Sequence, residues 1–301
     1  MQQSDPVIID DHTLRNWPLP MPDEDGDKEE RGRLLIVAGS AQMPGAAIIA
    51  GNAALHAGAG KVTIATGRSI APLVALAIPE SRVIGLDETE AGGIAPGAVA
   101  AILPLLAKLD AILLGPGMQD EPATCEFVAR LLPRLDSAIR LLLDAAAMGV
   151  VRESHRADGL LGRRDLQLLL TPHAGEMAHL TGAAKKEVAA DPAAIARRMA
   201  AQWQATLALK GPITHIAAPD GRLWRHEGGS VGLAVSGSGD ALAGIIGGLA
   251  ARGAPLQQAA AWGVALHARA GERLARDCGP LGYLVRDLSS QVPQLMHALA
   301  P

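Results

Sequence analysis

The run Ser236-Gly237-Ser238-Gly239-Asp240, followed by the apolar stretch ALAGIIGGLA, is the part of the chain best suited to chemistry on an anion. Glycines alternating with serines let a backbone turn sharply and aim its amides inward. A helix beginning near Asp240 adds unpaired N–H groups and the positive end of its dipole. Together these suit a phosphate. At the mouth of such a cradle Asp240 has the chemistry of a general base toward a hydroxyl attacking phosphorus. The same aspartate equally suits a simple helix cap, and the five residues alone do not choose. Gly244, Gly247 and Gly248 read as small positions that let the helix pack closely against a sheet.

Other segments offer polar groups in the same way. Thr171-Pro172-His173-Ala174-Gly175-Glu176 opens a helix. His173 there suits a ligand hydrogen bond or a loop brace, and Glu176 suits the positive helix end. The pair lacks the spacing of a zinc HExxH site. Lys210-Gly211 fits either a nucleotide contact or a surface turn. Gly58-Ala59-Gly60-Lys61 lacks the spacing and following hydroxyl of a Walker A loop, and no GxGxxG follows the first strand. Cys125 and Cys278 match no metal spacing and read as two reduced, buried thiols.

The elements that position these groups follow from hydrophobic pattern. The continuous apolar run at 34–38 and the largely apolar runs at 61–66, 111–114, 139–143, 166–170, 206–209 and 213–217 predict strands. Residues 221–226 predict an edge strand. Helices are predicted over 44–57, 122–132, 193–204, 240–251 and 257–276. Apolar runs without polar alternation, separated by helices, argue for an α/β fold with a largely parallel sheet covered on both faces. Ligands in such sheets bind beyond the carboxyl ends of the strands, and the loops 39–45, 115–118, 144–149 and 171–176 each follow a strand. Residues 1–30, with an acidic-rich run at 23–30, read as a leading segment and polar loop. One catalytic domain is expected over 31–301.

Composition narrows the function class. With 27 basic and 31 acidic residues the formal charge is −4, which gives no nucleic-acid footprint. The N-terminal 30 residues do not read as a signal peptide and no run approaches a membrane span, so a cytoplasmic location is expected. At 49% hydrophobic but 2% aromatic residues, the core must be built from Leu, Ile, Val and Ala.

The pieces VAGSAQMPGAA, AGAGKVTIAT, LLGPGM, LLTPHAGE, LKG and SGSGDALAGIIGGL, in this order, resemble the ADP/ATP-dependent NAD(P)H-hydrate dehydratases of the ribokinase-like superfamily. The resemblance spans about residues 31–275. It implies a three-layer α/β/α fold and repair of hydrated NADH or NADPH (NADHX and NADPHX) with ADP or ATP as phosphoryl donor and Mg²⁺ alongside. It implies that the hydrate hydroxyl is phosphorylated and the phosphate then eliminated. Carried onto this chain, Asp240 activates the hydroxyl. Lys210, Gly211, Pro212, Ile213 and Thr214, with Gly237, Ser238 and Gly239, hold the nucleotide and its phosphates. Gly45, Ala46, Gly117, His173 and Asp240 line the hydrate site. It further implies a homo-oligomer, commonly a tetramer, and an epimerase supplied by another chain.

Departures from the family pattern are equally specific. The family's Asp-Ala-Asp-Ala-Leu-Asn stretch reads Asp144-Ala145-Ala146-Ala147-Met148-Gly149 here, so a carboxylate and an amide are missing. Its Thr-Gly-Gly is Val235-Ser236-Gly237, and its His-Pro-Gly-Glu is His173-Ala174-Gly175-Glu176. Lost hydrogen bonds at an acceptor site change substrate choice. The alternatives are therefore a ribokinase-like kinase for a sugar or vitamin precursor, and a nucleotide-binding sensor without turnover.

Overall fold

Strands whose two faces are both apolar are stable only between two helical layers. The computed structural model, which describes residues 5–22, 31–152 and 165–300, has that arrangement. The acidic-rich run at 23–30 lies outside the described residues. Along the first half the elements are β1 (Val7–Ile8), α1 (Asp11–Arg15), β2 (Arg33–Val37), α2 (Pro44–His56), β3 (Lys61–Gly67), α3 (Ala71–Ala77), β4 (Arg82–Leu86), β5 (Ala111–Leu114) and α4 (Glu121–Leu131). The second half adds β6 (Arg140–Leu143), β7 (Gln167–Leu170), α5 (Ala174–Thr181), α6 (Lys185–Ala190), α7 (Pro192–Trp203), β8 (Thr206–Leu209), β9 (Ile213–Ala217) and β10 (Leu223–Glu227). Three helices close the chain: α8 (Ser238–Ala251), α9 (Leu256–Cys278) and α10 (Val285–Leu299).

The ten strands form one sheet in the order β1-β10-β9-β8-β7-β6-β5-β2-β3-β4. Only β9 runs against the others, pairing antiparallel with β8 and β10. Side chains alternate between two cores. Leu34, Ile36, Leu113, Leu142 and Leu169 face the layer of α2, α8 and α9. Leu35, Val37, Ile112, Leu141 and Leu168 face Phe127 of α4 and Trp203 of α7. This is the three-layer fold expected from the sequence, with its mostly parallel sheet. No helix among the described residues is long and apolar enough to cross a membrane.

Three readings from the sequence change. The strand at 223–227 is not an edge, because Val7 and Ile8 pair in parallel with Trp224 and Arg225 outside it. The leading segment thus joins the sheet: Ile9 and Leu14 are buried in the core, and the Trp17 ring stacks on Trp224 at 5.7 Å. A two-residue strand has no periodicity to read. One of the two cysteines also differs from the buried state expected of both. Cys125 is buried, and burial raises its thiol pKa to about 11, whereas Cys278 ends α9 exposed.

The small positions of α8 serve a different neighbour from the one expected. A Cβ on Gly244 would lie 2.3 Å from the Ala50 carbonyl oxygen, and one on Gly248 2.5 Å from that of Ala54. Both residues let α8 press against helix α2 rather than the sheet. Gly247 does face the sheet, at Leu34 and Leu113.

Candidate active site

Because the central strands are parallel, the loops leaving β2, β5, β6, β7 and β8 emerge on one edge. Strand order reverses beside β2, whose neighbours are β3 and β5. In open α/β sheets such a point, here between the loops after β2 and β5, is where a ligand crevice is found. There the Gly39 N–H donates to the Pro116 carbonyl at 2.8 Å.

Lys210 follows β8 directly. Its backbone N–H donates to the Pro172 carbonyl at 2.7 Å, and it bridges in parallel to His173. Its ammonium donates to Asp144 Oδ1 at 3.3 Å and stands 3.8 Å from Glu176 Oε2. Burial works against the charge on Lys210, but Asp144 and Glu176 outweigh it and hold its pKa above the ordinary lysine value. Asp144 is 3% exposed and leaves β6 with its N–H on the Leu114 carbonyl at 2.9 Å. Its Oδ1 also accepts the Thr171 hydroxyl at 2.6 Å. Gly115 allows this close approach, since a Cβ there would fall 1.8 Å from the Asp144 carbonyl oxygen.

The turn Ser236–Asp240 leads into α8. Gly237 caps the helix at φ +88°, a left-handed conformation that glycine accepts without strain. The first helical hydrogen bond runs from Ala241 N–H to the Gly237 carbonyl at 3.1 Å, and the Ser238 N–H donates to Val235 at 3.2 Å. The N–H groups of Gly239 and Asp240 belong to the first turn, which has no partners within its helix. Lys210 lies directly against them: a Cβ on Gly239 would be 3.4 Å from its Nζ. Asp240 is the third residue of α8 and no side chain caps that helix, so the capping role falls away. Burial, reinforced by Asp144 and Glu176 and opposed by Lys210, raises the Asp240 pKa to about 7. A carboxyl with that pKa is poised to take a proton near neutrality.

His173 is the N-cap of α5. Its Nδ1 accepts from the N–H groups of Gly175 at 2.9 Å and Glu176 at 3.1 Å, and Glu176 Oε2 accepts from the His173 N–H at 2.8 Å. This capping box satisfies two sets of first-turn donors at once. The loop brace is therefore real, and it leaves the side chain 58% exposed with Nε2 3.6 Å from Glu176 Oε1. Ala46 and Gly117 touch, since a Cβ on Gly117 would lie 2.4 Å from that of Ala46. Ile49, one turn along α2, reaches toward Gly237, where a Cβ would lie 3.0 Å from its Cδ1. Gly45 sits exposed in the first turn of α2, with open space where a side chain would go.

Lys210, Gly239 and Asp240 are thus brought together, with His173 joined through Lys210 and Glu176. Ala46 and Gly117 form a neighbouring wall linked through α2. Gly211 and Pro212 are exposed, Ile213 begins β9, and the Thr214 hydroxyl donates back to the Gly211 carbonyl at 3.3 Å. Reading the sequence missed what Asp144, Thr171 and Glu176 do together. Their positions at strand ends were visible, but their meeting around Lys210 depends on strand order. The altered stretch has a structural reason at its end. A Cβ on Gly149 would lie 2.7 Å from Glu121 Oε1 and 2.8 Å from Cys125 Sγ, so α4 fills the space of a larger side chain.

The chain is similar over most of its length to known proteins. A family model described as NAD(P)H-hydrate dehydratase matches residues 34–294. The chain is 47% identical over 287 residues to the ADP-dependent (S)-NAD(P)H-hydrate dehydratase of Xanthomonas campestris pv. campestris, covering 95% of this chain and 94% of that one. It is 40% identical over 281 residues to a bifunctional NAD(P)H-hydrate repair enzyme of Moorella thermoacetica, covering 93% of this chain and 52% of that one. Among solved structures, the ADP/ATP-dependent NAD(P)H-hydrate dehydratase of Bacillus subtilis co-crystallized with ATP/Mg²⁺ superposes with a TM-score of 0.82 at 29% identity, covering 98% of this chain and 99% of that one.

Proposed function

The chain belongs to the NAD(P)H-hydrate dehydratase family, and on that premise we propose that it restores NAD(P)H from its hydrate at the expense of ADP or ATP. The observation that carries this reading is the meeting of Asp240, Lys210 and the first-turn amides of α8 at one strand-end crevice. The crevice wall of Ala46, Gly117 and His173 takes the hydrated dinucleotide, and Lys210 with the segment to Thr214 takes the nucleotide.

In the first step Asp240 accepts the proton of the ring hydroxyl. That oxygen bonds to the terminal phosphorus of the nucleotide, and the bond to the leaving phosphate breaks, releasing AMP from ADP or ADP from ATP. Lys210 and the N–H groups of Gly239 and Asp240 meet the charge on the transferring group. In the second step the ring nitrogen's electron pair expels phosphate from the neighbouring carbon. Loss of a proton from the next carbon restores the double bond. Phosphate leaves far more readily than hydroxide, which is why a nucleotide is consumed.

The donor set suits a hard cation brought in on the nucleotide. Mg²⁺ takes oxygen ligands and usually pairs one or two carboxylates with substrate phosphates. No group of three or more metal-binding side chains gathers among the described residues. Glu176 is the carboxylate that would share Mg²⁺ with the phosphates, while Asp144 is occupied by Lys210 and Thr171 and Asp240 serves as the base. The ion would neutralise phosphate charge during transfer.

The test is recovery of dihydronicotinamide absorbance from purified NADHX and NADPHX, with ADP and ATP in separate arms. Recovery that requires a nucleotide supports the reading. A stable phosphorylated product on another alcohol, with the hydrate untouched, would replace it with the kinase reading.

A further inference from the structure

Two glycines let helix α9 pack closely on the middle of α8 and on the segment that precedes it. A Cβ on Gly263 would lie 2.5 Å from Ile246 Cγ1, and one on Gly271 2.6 Å from Leu233 Cγ. His267 lies one turn from each, between the two close approaches. Its Nε2 is hydrogen-bonded to the Ser238 hydroxyl at 3.0 Å. Ser238 is itself buried and is the residue immediately before Gly239 and Asp240. Its N–H is already tied to Val235, so the imidazole supplies a second, lateral anchor to the first turn of α8.

We propose that His267 is a positioning residue for phosphoryl transfer: through the Ser238 hydroxyl it fixes the first turn of α8, and so the aim of the Gly239 and Asp240 N–H groups and of the Asp240 carboxylate. This rests on the dehydratase reading for its substrate but not for its geometry. Burial pushes the His267 pKa down to about 4, opposed by a hydrogen bond with the Ser238 backbone and aided, less strongly, by Lys210. The ring is therefore neutral where Asp240 works. A neutral ring can hold the turn without placing a competing cation beside the phosphate.

The charged groups acting on this ring come from the facing element, where Lys210 lowers its pKa. Asp240 feels Asp144, Glu176 and Lys210, and His267 is not among the groups that set its pKa. The inference therefore predicts an effect on rate with no shift in the pH profile.

The test is a double-mutant cycle of His267→Leu and Ser238→Ala, read as kcat and KM for the hydrate. Loss of one hydrogen bond that matters in the transition state corresponds to a fall in kcat of about tenfold. Each single variant is expected to show that fall with KM for the hydrate unchanged, and the double variant to fall no further. His267→Gln, whose amide can occupy the Nε2 position, should stay within about twofold of wild type. The same cycle read on affinity for ADP with aluminium fluoride, a mimic of the transferring phosphoryl group, needs no hydrate. All variants but His267→Gln should weaken that complex about tenfold, and His267→Leu should leave ADP alone within about twofold. Full kcat and full affinity for the mimic in His267→Gln, His267→Leu and Ser238→Ala would overturn the inference. So would independent, multiplying effects, or loss of a pH limb in His267→Leu, which would make the ring a proton carrier. If His267→Leu does not fold, Ser238→Ala and His267→Gln still decide. A wild type inert toward the hydrate would remove the dehydratase reading and leave the inference to the mimic.

Discussion

Lys210 and Asp144 are 66 residues apart in sequence, yet the lysine ammonium lies 3.3 Å from the aspartate carboxylate. Strands β6 and β8 bring them together across β7, and Thr171 at the end of β7 completes the contact with its hydroxyl. The pair sits beside Asp240 and acts on it with opposite signs: Asp144 raises its pKa and Lys210 lowers it.

A pH profile separates those two influences. With Asp240 near pKa 7, kcat/KM for the hydrate should fall below neutrality as the base becomes protonated, with a limiting slope of about one in log(kcat/KM) per pH unit. Lys210→Met removes the cation that lowers this pKa, so the acid limb should move to higher pH, along with a loss of rate from weaker phosphate contact. Asp144→Asn removes a charge that raises it, so the limb should move to lower pH. Limbs that stay in place in both variants would mean that Asp240 is not the titrating base.

Asp240→Asn should abolish turnover, with a fall of at least about a thousandfold, since a base and a phosphate-site neighbour are lost together. Its stability should change in the opposite sense. The folded pKa of Asp240 is raised above the ordinary 3.8 to about 7. Its contribution to stability is therefore fully present below pH 3.8 and lost as pH rises through about 7. An asparagine carries no such penalty. The variant should melt above wild type at pH 8, and the difference should shrink as pH falls toward 4. Thermal melts across that range check it. A variant that melts lower at pH 8 would show that the carboxylate is needed for folding rather than burdening it.

Much of this was readable in the residues alone. The runs at 111–114, 206–209 and 213–217 coincide with β5, β8 and β9, because a short, largely apolar run bounded by turn residues has few other solutions. The turn into α8 was legible for the same local reason: glycine spacing and a following apolar helix. What could not be read was partnership. Asp144 was seen only as the one carboxylate retained in an altered stretch, and Glu176 only as a residue of a first helical turn. Their contact with Lys210 depends on which strands are neighbours. His267 lay unmarked within an apolar helix pattern, and its role depends on how closely two helices approach. Residues 5–22 join the sheet through a strand too short for periodicity and a Trp17–Trp224 stack that only the fold brings about.

Helix packing behind the site gives the last prediction. Gly244 sits where α8 crosses α2, and an alanine there would place its Cβ 2.3 Å from the Ala50 carbonyl oxygen and 2.9 Å from its Cα. Those neighbours are backbone in a buried helix, so one helix must shift as a body. Overpacking of this kind costs about 1–3 kcal/mol, against which alanine's better helix propensity returns at most about 1 kcal/mol. Gly244→Ala should therefore lower the melting temperature measurably. Because α8 carries the Gly239 and Asp240 amides at its start, and α2 carries Ala46 and Ile49 at its own, the displacement also reaches the crevice. The expected result is a lower kcat in protein that is still folded at the assay temperature. Gly253→Ala, beyond the end of α8, meets no neighbour within 4 Å but requires φ +99°. It should cost stability through backbone strain alone and leave kcat unchanged. Equal losses of kcat in the two variants would show that the α8–α2 contact has no part in placing the site.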